Sequence, residues 1–126
     1  SMPDQLDEDK AEAFGRIKRE LARSLASLKE STEWFLAKAS DDPYLAGSIG
    51  VNYMMQAGNV IAGWLMARSA VSAQQHIDLG KSDAFYRNKI STALFFAEHI
   101  LPRSESLKIT VQSGSDSVMS IGIADF

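Results

Sequence analysis

The 126-residue chain has no cysteine, which excludes disulfides and thiol chemistry and fits a cytoplasmic protein. It also lacks any excess of positive charge. Thirteen Lys and Arg stand against sixteen Asp and Glu, for a net charge of −3, and the basic residues are scattered. Without a basic stripe to neutralise phosphates, a nucleic-acid partner is not expected. The opening segment, SMPDQLDEDKAEAF, is acidic where a secretory signal would be basic and then apolar. Ser1 and Met2 read as a cloning remnant ahead of a native segment, residues 3–126, that forms one helical domain. Motifs with a known mechanical role are missing too: there is no glycine-rich dinucleotide loop, Walker loop, HExxH or CxxC. No ExxH repeat supports a carboxylate-bridged metal centre.

What remains is ordinary globular composition, 45% hydrophobic and 23% charged, in a chain long enough to bury a sizeable core. Its periodicity is helical. Phe14, Ile17, Leu21, Leu25, Leu28, Thr32 and Phe35 recur at steps of three or four, which predicts a helix from about Asp7 to Ala39 with one apolar face. Acidic residues crowd its start, where the helix dipole favours them. The wet side offers Arg16 to both Glu12 and Glu20, and Lys29 to Glu33, at i,i+4 spacing. Asp42 and Pro43 suit the cap and first position of a second helix running to about Asp78, with Gly80 as its left-handed stop. Ser82 or Asp83 caps a third. Pro102 removes one backbone hydrogen bond, but apolar spacing continues through Leu107, Val111 and Val118. The expectation is therefore all-α: an up-down-up antiparallel bundle of three long helices, the third kinked at Pro102, with four helices as the alternative. Only SIGIADF at the end hints at alternation, and it reads as a loosely packed tail.

The second helix is the unusual one. From Pro43 through Ala67 it has no Asp, Glu, Lys or Arg, an uncharged run of about 25 residues. Ser48, Asn52, Gln56, Asn59 and Gly63 fall in one narrow sector of the helical wheel. Apolar residues, among them Val51, Met54, Ile61, Trp64 and Leu65, spread over more than one other direction. Three carboxamides on one face are unfavourable in lipid, and the neighbouring helices are charged and amphipathic, so a membrane span is not expected. Two readings remain. Either this is the central helix of a small bundle with its polar stripe in water, or the stripe meets another protein surface, where uncharged polar groups hydrogen-bond without the desolvation cost of a charge. Ser48, Asn52, Gln56, Asn59 and Gly63 are thus the candidate interface residues.

Chemistry is hard to find. His76 lies near a helix C-terminus, where a cation is favoured. His99 follows Glu98, but adjacent helical positions point about 100° apart and do not form a joint ligand set. Met54, Met55, Met66, Trp64, Phe95 and Phe96 suit packing better than a cofactor box. No catalytic, cofactor-binding or metal-binding residue is assigned.

Two segments carry more than periodicity: NVIAGWLMARSAVSA, and FYRNKISTALFFAEHILPRSESLKITVQSGSDSVMSI. Together they resemble the C-terminal extension of long-form acyl-CoA dehydrogenases, in particular the subgroup resembling methylthiopropanoyl-CoA dehydrogenase. The residues that carry this are Gly63, Trp64, Arg68, Ser69, Lys89, Ala93, Phe95, Phe96, Ala97, Glu98, His99, Leu101 and Pro102, with Ser69 and Phe96 standing where the family more often has Ala and Tyr. The resemblance spans nearly the whole chain, from the first helix to Phe126. It implies that FAD, the acyl-CoA and the carboxylate base belong to upstream domains. The parent enzyme would move an α proton to the base and a β hydride to flavin. It would act in fatty acid metabolism, and this domain would be a helical layer packed on its body. A stand-alone helical interaction or dimerisation module is the alternative, and a homo-oligomer is open to either.

Overall fold

The computed structural model describes residues 2–81 and 83–122, with side chains from Glu8 onward. Ser82 and the last four residues of the expected tail lie outside them. Helix α1 spans Met2–Lys38, α2 Leu45–Asp78, α3 Ala84–His99, α4 Arg103–Gln112 and the short α5 Asp116–Met119. Among the described residues there is no strand.

Local chemistry sets the boundaries. Asp42 Oδ1 accepts the Tyr44 backbone N–H at 3.0 Å, and Leu45 N–H donates to Asp42 O at 3.2 Å, a tight turn ahead of α2, whose N-cap is Tyr44, without a side-chain capping bond and two residues later than expected. At the far end Gly80 takes φ +89°, while Gly80 N donates to Ile77 O and Lys81 N to His76 O. That pair of bonds is a Schellman stop, which needs a residue without Cβ strain in the left-handed region. The extended Asp83 (φ −63°, ψ 142°) starts α3 without a side-chain capping bond.

The continuous third helix expected from Ser82 to about Met119 does not form, and the four-helix alternative describes the chain better. Pro102 has no N–H to extend the ladder of α3. Ile100 N and Leu101 N both bond Phe96 O, and Arg103 N, Ser104 N and Glu105 N turn to carbonyls three residues back. The chain therefore makes a tight turn at Ile100–Pro102 and restarts as α4. Gly114, at φ +72°, ends α4 in turn.

Contacts fix the relative directions. Arg16 meets Glu98, Ser27 meets Glu105 and Glu30 meets Lys108, so α1 advances alongside α3 and α4. Between α2 and its later neighbours the pairs run in opposite senses, with His76 on Tyr86, Gly63 under Leu101 and Gln56 against Ser104.

The core falls into two apolar clusters. Ile17, Ala70, Ala93, Ala97 and Leu101 form one, flanked by Phe14, Leu21, Met66 and Phe96. Leu45, Ile49 and Val111 form the other, with Trp34, Phe35 and Tyr53 against them. Apart from both clusters, Ser24, Ser27, Ser31, Gln56 and Ser104 are buried polar side chains drawn from α1, α2 and α4. Small serines let the helices approach closely, but their hydroxyls must find partners. Ser24 Oγ donates to Leu21 O at 3.0 Å, and Ser27 Oγ donates to the Glu105 carboxylate. Leu25, placed by its spacing on the apolar face of α1, is instead 55% exposed, because the serines take the inward positions.

Candidate functional site: the outer face of the second helix

The candidate interface stripe turns inward. Gln56 has no exposed surface, and its Nε2 donates to Ser104 O at 3.2 Å. Gly63 is also buried: a Cβ there would lie 2.6 Å from Leu101 Cδ2, so only glycine admits that leucine without a shift. Ser48, Asn52 and Asn59 are half-buried, and Ser48 Oγ donates to its own helix at Tyr44 O. As a surface offered to another protein, Gln56 and Gly63 are corrected by this geometry. Backbone carbonyl and leucine side chain from this chain's own later helices already occupy their space. The three half-buried members are not brought to an open patch with them.

What α2 leaves bare is apolar. Val51 and Met54 are each 72% exposed, Ile61 57% and Leu65 53%. Gly58 lies among them, and added Cβ atoms at Gly47, Gly50 or Gly58 would meet nothing within 4 Å. Trp64 is also exposed, with the Arg68 guanidinium carbon 4.8 Å from its ring centroid. The helix buries Leu45, Ile49, Val60, Ala70 and Ala73 together with Gln56 and Gly63, and it still turns large apolar side chains outward, unlike an ordinary surface helix. The sequence reading named Val51, Met54, Ile61 and Leu65 but left them undirected. Their steps of three and four were the available signal, masked by a polar stripe that imitates a wet face.

Charged groups elsewhere tie helices together. Lys108 Nζ lies 2.8 Å from Glu30 and 3.3 Å from Glu105. The hydroxyl of Ser27, chiefly, holds the Glu105 carboxyl below its ordinary range, with Lys108 adding to it. Bonds to Glu30 and then Glu105 hold the Lys108 ammonium above its ordinary range. Arg16 reaches Glu98 on α3 at 3.5 Å rather than an i,i+4 partner, whereas Lys29 and Glu33 do sit 4.0 Å apart. His76 stacks on Tyr86 and His99 on Phe95. No cluster of His, Asp or Glu among the described residues could hold a metal ion, and none of their helices is long and apolar enough to cross a membrane.

The two sequence segments singled out above meet in space. Leu101, from AEHILP, sits on Gly63, from the Gly-Trp pair, while Ala93 and Ala97 are buried beside Ala70. Their pairing is one close helix contact.

The chain belongs to the C-terminal family of acyl-CoA dehydrogenases: the family model described as acetyl-CoA dehydrogenase C-terminal like matches residues 3–122. It is similar to 3-methylmercaptopropionyl-CoA dehydrogenase of Ruegeria pomeroyi, 29% identical over 111 residues, covering 88% of this chain and 19% of that one. It is similar also to the broad-specificity linear acyl-CoA dehydrogenase FadE5 of Mycobacterium tuberculosis, 29% identical over 130 residues, with coverage of 94% and 21%. The chain therefore spans about a fifth of the length of these curated relatives.

Proposed function

We propose that residues 3–126 are the accessory domain of an FAD-dependent acyl-CoA dehydrogenase of fatty acid metabolism, packed on the catalytic body of the same polypeptide and holding no part of the reaction centre. The observation that carries this is the bare apolar face of α2. Val51 and Met54 are 72% exposed, in line along one helix face with the exposed Ile61 and Leu65, and water is a poor neighbour for such a face. Family membership supplies the context: relatives of this chain are acyl-CoA dehydrogenases with four-fifths of their length beyond the match.

One concavity is lined by Trp64, Ala67, Arg68, Val71, Ser72 and Gln75, all from α2, so no second element closes over a ring system there. Bound cofactors are ordinarily enclosed over most of their surface. The flavin that would accept the substrate hydride belongs, on this reading, to the upstream domains, along with the acyl-CoA site.

The test is to express the full-length polypeptide and the 126-residue chain side by side. The longer protein is expected to show flavin absorbance and acyl-CoA-dependent reduction of an electron acceptor, and the short one neither. A full-length polypeptide without flavin would end this assignment.

A further inference from the structure

The bare face has a spacing that specifies its occupant. Gly47, Val51, Met54, Gly58, Ile61 and Leu65 follow one another at steps of four, three, four, three and four. That is the alternation of a helix–helix seam, in which side chains of one helix enter holes on the other. Nothing among the described residues covers it: the four large residues are more than half exposed, and the glycines face open space. Glycine weakens a helix interior relative to alanine, and no contact within this chain requires it at these positions.

We propose that an α-helix from the part of the polypeptide beyond these 126 residues docks along this seam. It would set bulky apolar side chains into the gaps at Gly47 and Gly58, three turns or about 16 Å apart. This rests on the reading that the chain is one domain of a longer dehydrogenase. The length supports that source, since four-fifths of each relative lies beyond the match. A second copy of the chain is the competing occupant, since an antiparallel copy can set Leu65 on Gly47 and Met54 on Gly58. The oligomeric state of the 126-residue chain separates the two.

Hydroxyl-radical footprinting of the full-length polypeptide tests this. Met54 is expected to be labelled several-fold more slowly there than in the 126-residue chain or in the denatured full-length protein. Gly58→Leu, which blocks the gap, is expected to restore fast labelling. In the 126-residue chain Gly58→Ala should raise Tm by about 4 °C from helix propensity alone. In the full-length protein the same change should lower stability. Fast labelling of Met54 in native full-length protein, or the same sign for Gly58→Ala in both, overturns the proposal. So does a dimer of the short chain that Gly58→Leu dissociates, since the occupant is then a second copy. Flavin content is read independently: protected Met54 in a flavin-free protein would keep the seam and discard the dehydrogenase, and exposed Met54 in an active flavoprotein would do the reverse.

Discussion

Helices α1 and α2 are nearly matched, at 37 and 34 residues, and both bury small or polar side chains beside larger aliphatic ones. They differ in what they leave outside. The outer surface of α1 carries Arg16, Lys18, Arg19, Arg23, Lys29 and Glu33. That of α2 carries Val51, Met54, Ile61 and Leu65. Apart from the exposed Leu25 and Leu36, the first meets water with charge, and the second meets it with apolar side chains. The lesson is that amphipathicity has to be read against both environments: a polar stripe marks the wet face only when the opposite side is the one that gets buried.

The sharpest way to break this contrast is to charge the inner side of α2. Gln56→Lys would put an ammonium into a site with no exposed surface, where its only neighbour of note is the Ser104 carbonyl. An unpaired buried charge costs about 3–5 kcal/mol, so this variant should be largely unfolded in a thermal melt at neutral pH. A native-like Tm would mean that Gln56 faces solvent after all.

Leu101→Ala comes next. Removing a buried leucine costs about 2–5 kcal/mol. Because Leu101 and the Gly63 site compete for the same space, adding Gly63→Ala to Leu101→Ala should be no worse than Leu101→Ala alone, although Gly63→Ala by itself crowds Leu101. Strict additivity in urea denaturation would show that the two motif segments are not coupled.

Ser27→Ala has a smaller, pH-dependent effect. The folded-state pKa of Glu105 is depressed chiefly by Ser27. Its contribution is therefore present above the ordinary carboxylate range and disappears as pH falls through the lowered value. The gap between wild type and Ser27→Ala should stay under about 1 kcal/mol at neutral pH, since the Glu105 carboxylate is largely in water, and should close as pH falls below the ordinary carboxylate range. A gap that widens in acid would assign the bond to another group. The raised pKa of Lys108 works at the opposite end, its contribution fading as pH rises past the ordinary lysine range.

Smallest is Val51→Lys in the 126-residue chain, where the side chain is already 72% exposed and stability should move by less than about 0.5 kcal/mol. A large loss there would place Val51 inside this chain's own core.

Particular residues show how far the chain's own chemistry could be read. Asp42, in the turn just before α2, and Gly80, just after it, were legible because tight and left-handed turns are local events. Gly63 and Leu101 were legible as motif members, but their contact spans the turn at Pro102 and was not. Ser24, Ser27 and Ser31 went unnoticed because serine on a helix ordinarily reads as solvent-facing, and only opposing surfaces on α4, with Glu105 for Ser27, make their inward rotation sensible. Pro102 was visible as a break, yet whether it kinks or divides a helix depends on how Leu101 packs.

By itself, then, the amino-acid order determined the helical class, the ends of the second helix, the missing charge along it and the family, because caps, periodicity and motif residues act over a few neighbours. Which side of that helix turned inward was decided only by tertiary structure. Rotation about a helix axis depends on what the facing helices present, and here they presented a serine row, a backbone carbonyl and a leucine that needed a glycine.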